Sequence, residues 1–338
     1  MSDSEQEQDG QGRRFRGPLF VVGMPRSGTK LLREILNRHS DVYIPDVETE
    51  FLPYMYTRWL RFGDVSKREA FNRMCRVMER FSYFQYRKVK GATIDAKAWY
   101  DACESFDLAG VFEALVRLDT GMGFRADAIW GDKSPSYIRH LGLLRTIFPG
   151  ARIVHIVRDV RDYCRSIERA WGKNPVRAAF RWNNALLDVA HRKRHDPAGY
   201  LEVRYERLLG EPETEIRRLC GFVGIRYEKD MLEIGEGTEN LGDAKDARAI
   251  VHSNKGKFVT AFDNKTLRQI EEAALPAMEA HDYKPLLATR YLPPSTFRLY
   301  LYQIMDGWNL AKGDHPGRGR LGGALFHLAY KRITRIRS

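Results

Sequence analysis

Cysteine is scarce in this chain: 4 among 338 residues (Cys75, Cys103, Cys164 and Cys220), with no close pair. That excludes a disulfide framework and a cysteine-ligated zinc site, and it fits a reducing compartment. Long apolar runs are missing as well. A membrane-spanning helix needs about 18 or more continuous apolar residues, whereas the longest runs here, such as Pro18 to Met24, are strand-sized. Met1 to Gly12 is acidic and polar, the opposite of a secretory signal. These absences lead to the expectation of a cytoplasmic protein. Internal repeats and long low-complexity segments are absent too.

What is present is ordinary for a globular chain, with 30% charged and 43% hydrophobic residues. Disordered, fibrous and collagen-like chains are thereby excluded. The length suits one large or two small domains. Lys and Arg number 56 against 44 Asp and Glu, a net charge of +12. Such a surplus implies an anionic partner: nucleic acid, a membrane surface, an acidic polymer or a phosphorylated cofactor. Charge alone does not choose among them.

Strand and helix signals alternate. Pro18-Leu-Phe-Val-Val-Gly23 reads as a strand buried on both faces, and Leu31, Leu32, Ile35 and Leu36 follow at helical spacing. Ala128 to Trp130, Arg152 to Val157 and Leu201 to Arg204 read as further strands. Tyr137 to Phe148, Val160 to Ala170 and Glu211 to Val223 read as helices. This alternation predicts an α/β fold with a central parallel sheet in three layers. Residues 50–121 read as a helical insertion capping the sheet edge where ligands bind. Its aromatics (Tyr54, Tyr56, Trp59, Phe81, Tyr83, Phe84 and Tyr86) are expected to form the core of that cap rather than line a pocket.

Gly23-Met-Pro-Arg-Ser-Gly28-Thr-Lys30 sits where the first strand feeds a helix. Free N–H groups and the dipole at a helix N-terminus favour an anion there. Gly28 lets the backbone approach a phosphate, Ser27 and Thr29 offer hydroxyls, and Arg26 offers a forked cation. The glycine spacing matches the Walker loop of NTPases, but Thr29-Lys30 reverses its Lys-Ser/Thr order. The reversal misplaces both the phosphate-binding cation and the magnesium-binding hydroxyl. The sequence also offers no obvious strand-end Asp for magnesium, so a magnesium-dependent kinase is the weaker reading.

Pro25-Arg-Ser-Gly-Thr29 resembles the 5′-phosphosulfate loop of sulfotransferases that use 3′-phosphoadenosine-5′-phosphosulfate (PAPS), in their bacterial and tyrosylprotein branch. Arg158-Asp-Val-Arg-Asp-Tyr-Cys-Arg-Ser166, following the strand from Arg152, resembles the family's 3′-phosphate signature. The resemblance covers residues 18–260 and implies a P-loop-like fold. It also implies PAPS as cofactor, 3′,5′-ADP as product, in-line sulfuryl transfer to a hydroxyl or amine, and no required metal. Arg26, Ser27, Gly28, Thr29, Lys30, Arg158 and Ser166 would hold the cofactor. Tyr205, in Tyr205-Glu-Arg-Leu208, would line its site, and Lys257, in Ser253 to Phe258, would close over it. Lys30 stands where the family usually has a second hydroxyl residue. Glu48 matches the carboxylate base, with Asp46 and Glu50 close enough for a register slip, and Lys133 with Arg26 would stabilise the leaving phosphate. His39, His140 and His155 lie outside any base motif and are expected to be satisfied core or surface histidines; Arg161 and Arg165 are expected to be solvated or set behind the site.

The implied organisation is a disordered tail over 1–16, a sulfotransferase domain over 17–290 and a basic extension over 291–338. After Asp314 no acidic residue occurs, and Leu321, Leu325, Leu328 and Ile336 can share one helical face. That segment suits self-association or contact with a membrane's inner surface, although docking on its own domain is the plainer expectation. The expected partner is an acceptor (sugar, lipid, phenol or peptide hydroxyl) and not nucleic acid. A non-catalytic polyanion-binding protein remains the other alternative.

Overall fold

The computed structural model describes residues 15–121, 125, 127–233 and 254–312. Most of the expected N-terminal tail and the basic segment after Asp314 lie outside the described residues.

Five strands form one sheet: β1 (Leu19–Gly23), β2 (Val42–Tyr43), β3 (Ile129–Lys133), β4 (Arg152–Val157) and β5 (Tyr200–Arg204), in the order β2-β3-β1-β4-β5. Every pairing is parallel, with Phe20 opposite Asp132 and Ile153, and Gly23 opposite Ile156. Strand order reverses on either side of β1, the point where α/β sheets bind ligands at their carboxyl ends.

The period-two rule divides β1 between two cores. Phe20 and Val22 face one layer, Leu19 and Val21 the other, and all four are fully buried. Behind Leu19 and Val21 pack α1 (Thr29–Asn37), α10 (Tyr205–Gly210) and α11 (Pro212–Val223). The larger core, behind Phe20 and Val22, receives α7 (Leu141–Ile147), α8 (Val160–Trp171), α9 (Pro175–His195) and α12 (Asn264–Ala280). Trp130, Trp182 and Tyr137 are fully buried in it, each burial of such a side chain being worth about 1.5–3 kcal/mol or more.

Side chains fix where the helices begin. Asp159 accepts from the Arg161 N–H to start α8, and Asn174 accepts from that of Arg177 to start α9, whose first residue is proline. Between β2 and β3 the chain is helical, as expected: α2 (Leu52–Arg58), α3 (Arg68–Met78), α4 (Ser82–Val89), α5 (Ala96–Asp101) and α6 (Leu108–Asp119). Phe51 sits at its centre, within 6.0 Å of the rings of Phe81, Tyr83, Phe84 and Phe112. The insertion's aromatics are therefore mainly core, although Tyr56 and Tyr86 are exposed.

Some element readings need correction. The expected helix over Tyr137 to Phe148 is split into a 3-10 turn, Pro135–Arg139, and α7, because His140 has a non-helical backbone. The strand expected at Ala128 to Trp130 runs on to Lys133, which makes Asp132 a fully buried strand-end acid where none was expected. A last helix, α13 (Thr296–Lys312), follows the sheet domain. Among the described residues, no helix is long and apolar enough to cross a membrane.

Candidate active site

The loop between β1 and α1 is tightly wound. The Ser27 N–H donates to the Met24 carbonyl at 3.0 Å, while Arg26 and Gly28 take φ of 74° and 98°. Arginine in the left-handed region is an uncommon, strained choice of the kind found at functional sites. Gly28 is required twice over, because a Cβ there would also stand 2.6 Å from the Tyr205 ring. The Ser27 hydroxyl is buried and has no hydrogen-bond partner among the described residues. An orphan donor beside a helix N-terminus is a place an oxyanion satisfies.

Arg158 leaves the end of β4, and since β4 neighbours β1 its guanidinium reaches the loop. Nη1 donates to the Arg26 carbonyl at 3.2 Å and Nη2 to the Asn254 carbonyl at 3.1 Å. Its Cζ lies 4.5 Å from the centre of the Tyr205 ring, and its Nε has no partner among the described residues. Ser166, two turns into α8, accepts from the Arg26 Nε at 3.3 Å. The two expected phosphate grips are thus contiguous.

The late segment docks on the same place. The Asp162 carboxylate accepts from the N–H groups of Gly256 (2.6 Å) and Phe258 (2.9 Å), and the Asn254 amide donates to the Tyr205 hydroxyl at 2.8 Å. These bonds dock the 3-10 turn Lys257–Thr260, which Lys257 opens, against α8. Arg161 is not solvated. It is buried, paired with Asp159 at 2.6 Å and with the fully buried Glu271 at 2.9 Å, and covered by the Phe258 ring. Its place on the inward face of α8 decides this, a face shared with Cys164 and Val160.

At the other side of β1, Lys133 ends β3 almost fully buried, and its Nζ donates to Glu48 Oε1 at 2.5 Å. Glu48 is 39% exposed, so it stands at the opening with Lys133 behind it. Its segment is pinned from two sides. The Asn37 side chain clasps the Ile44 backbone, and Arg33 donates to the Asp46 carbonyl. Thr49 hydrogen-bonds the Tyr137 hydroxyl at 2.7 Å. Asp46 points elsewhere, into ion pairs with Arg87 and Lys90; although burial acts upward on it, the bond and charge of Lys90, then Arg87, leave its carboxyl below the usual range. Glu50 has a left-handed backbone, φ 55°.

Asp132 lies beneath this pair. Burial pushes its carboxyl up to about 6, against the downward pull of the Ser134 and Thr49 hydroxyls. Those hydroxyls come near it, yet neither carboxylate oxygen has a well-formed hydrogen bond among the described residues. Of the histidines, His39 is satisfied by the Arg226 carbonyl at 2.9 Å. His140 is partly buried, which holds its imidazole below its usual range. His155 departs from expectation: it is buried with neither ring nitrogen hydrogen-bonded among the described residues, and burial pushes its imidazole down to about 3.

Sequence reasoning did not single out Asn254, Asp162 or Asp132 for a role. The first two act through backbone contacts between α8 and a segment 96 residues away, and no local spacing signals that.

Two solved structures superpose on most of the chain: the sulfotransferase domain of the Synechococcus PCC 7002 olefin synthase (TM-score 0.56, 23% identity, 82% of this chain and 99% of that one) and that of the curacin biosynthetic pathway (TM-score 0.54, 20% identity, 81% and 100%). A putative protein-tyrosine sulfotransferase of Caenorhabditis briggsae is 26% identical over 275 residues, 77% of this chain and 87% of that protein. Protein-tyrosine sulfotransferase A of Caenorhabditis elegans is 28% identical over 222 residues, 63% of this chain and 51% of that protein. These likenesses favour neither the kinase nor the non-catalytic reading. With residues 18–229, well over half of the chain, matching the sulfotransferase family model, the chain belongs to the sulfotransferase family.

Proposed function

We propose that this enzyme takes PAPS as donor and moves its sulfuryl group to an acceptor hydroxyl, with Glu48 as base. One observation carries the reading: the Arg26–Ser166 contact at 3.3 Å, which joins a 5′-phosphate loop to a 3′-phosphate grip in one continuous site. The residues present fit such a donor. Ser27 Oγ and Arg158 Nε are buried without partners among the described residues.

When bound, PAPS supplies an SO₃ group on a phosphate leaving group. The loop amides, Ser27, Thr29 and Lys30 hold the 5′ side, and Arg26 and Lys133 offset charge gathering on the bridging oxygen. Arg158 and Ser166 hold the 3′-phosphate, Tyr205 forms a wall, and Lys257 covers the opening. Lys133 also orients Glu48, whose outward oxygen accepts the acceptor's proton. Holding acceptor and donor in line is the larger part of the catalysis. The named relatives make a tyrosine hydroxyl the first acceptor to try.

Calorimetry tests the reading. 3′,5′-ADP should bind at least ~100-fold more tightly than 5′-AMP, about 3 kcal/mol, and labelled PAPS should sulfate an acceptor in EDTA. Equal affinity for the two nucleotides would end the reading. Transfer that needs added magnesium and ATP would return the kinase alternative.

A further inference from the structure

A second cluster of charge lies beside the phosphate loop. Met24 and Pro25 of the loop, Tyr163 and Ile167 of α8, and the residues that open α9 line a small, half-open cleft. Four cations face it: Arg139, Lys173, Arg177 and Arg181. Arg177 and Arg181 stand one turn apart on α9 and share a face, Arg139 ends the 3-10 turn after β3, and Lys173 lies in the turn between α8 and α9. The single acid in the lining is Asp306 of α13. It accepts from Arg177 Nη1 at 2.5 Å and from the Asn174 N–H at 2.7 Å. Arg139 and Arg181 have no hydrogen-bond or ion-pair partner among the described residues.

Folding gains nothing from gathering four cations about one carboxylate in a half-buried cleft. Burial, then Arg139, push the Arg181 guanidinium down to about 10; burial, then Arg181, push the Lys173 ammonium down to about 8. A bound oxyanion relieves both the repulsion and the lost hydration. Asp306 already shows the kind of group the cleft accepts, a carboxylate against an arginine fork. The cleft shares walls with the donor site at two points, since Pro25 precedes Arg26 and Ile167 follows Ser166. It takes the Met24–Pro25 side of the loop, whereas Gly28 and Arg158 turn towards Tyr205.

We propose that this cleft is an acceptor subsite: the molecule that is sulfated carries an oxyanion (phosphate, sulfate or carboxylate) near its reacting hydroxyl, held by Arg139, Arg177, Arg181 and Lys173. The proposal rests on the sulfotransferase reading for which side of the loop is the donor's. Asp306 competes for the same guanidinium, so a bound acceptor takes over its place.

The test is a titration of inorganic phosphate into the full chain saturated with 3′,5′-ADP, followed by calorimetry. The wild type should bind phosphate saturably. The double variant Arg139→Gln/Arg181→Gln should bind it at least ~10-fold more weakly. Asp306→Asn should bind it about threefold or more tightly, a gain that misfolding does not produce. 3′,5′-ADP affinity should change less than about twofold in both variants. Absence of saturable phosphate binding, or phosphate affinity unmoved by the substitutions, overturns the proposal. So does a parallel loss of 3′,5′-ADP, which would make the cleft part of the donor site. Should 3′,5′-ADP fail to bind any form, the donor assignment falls separately, and the same phosphate titration without nucleotide decides the cleft by the same criteria.

Discussion

The Nε of Arg26 lies 3.3 Å from the Oγ of Ser166, across 140 residues of chain. Neither side chain explains the contact alone. It exists because β1 and β4 are neighbours, so the loop after one strand meets the helix after the other. Ser166→Ala should therefore weaken 3′,5′-ADP by about 10- to 100-fold, the worth of a hydrogen bond to a charged group, while 5′-AMP affinity stays unchanged. A uniform loss for both nucleotides would show that Ser166 supports the fold instead of the 3′-phosphate.

Glu48 and Lys133 form the ion pair at the opening. Glu48→Gln keeps the shape and removes the base, so kcat should fall about 10²- to 10⁴-fold with 3′,5′-ADP binding retained. Asp46→Asn, which frees Lys90, leaves Arg87 paired with Asp119 and removes no group from the site, should leave kcat within about twofold. Steady-state rates for the pair decide which acid is the base, and the opposite order would move the role to Asp46.

Gly28→Ala meets two penalties, a left-handed backbone worth about 1–2 kcal/mol and a Cβ 2.6 Å from Tyr205. The variant should melt several degrees lower and lose 3′,5′-ADP. Tyr205→Ala in that background should restore part of the melting temperature, because only the contact is relieved. Full additivity of the two changes would exclude the clash as the cause.

Asp132 titrates in an unusual direction. Its native carboxyl binds a proton more tightly than the unfolded one, so its contribution to stability falls as pH rises from 3.8 to about 6 and stays low above. Asp132→Asn should be more stable than wild type by about 2–3 kcal/mol at pH 7, with the gain shrinking towards zero below pH 4. Urea denaturation at the two pH values checks it. A gain independent of pH would point to packing rather than charge.

Arg161 is the strut between α8 and α12. Arg161→Met leaves Glu271 buried and facing only the N–H groups of Leu286, Leu287 and Ala288. The expected cost is about 3–5 kcal/mol, read by denaturant unfolding. Arg161→Met/Glu271→Gln should cost less than Arg161→Met alone; a greater cost would mean that Glu271 is not the charge left stranded.

The strands, the phosphate loop and the order of the signatures were legible because each is a local property. Period-two burial marks β1, and Gly28 between a strand and Leu31 marks a turn into a helix. Arg161 was left between solvent and a place behind the site because α8 carries both the Ser166 face and the face that packs on Glu271, and spacing alone does not say which neighbour waits there. The 3-10 break at His140 and the short edge strand Val42–Tyr43 escaped for the opposite reason, being too short to show a period.

From the order of residues alone came the layer architecture, the helical insertion and the list of side chains proposed to bind phosphate, since hydrophobic period, turn chemistry and motif spacing act within a few residues. Contacts between distant segments required the folded chain. The Arg26–Ser166 contact, the Lys133–Glu48 pair and the cationic cleft of Arg139, Lys173, Arg177 and Arg181 all join separate elements. Parallel sheet order brings their ends together, and no stretch of sequence records which ends will meet.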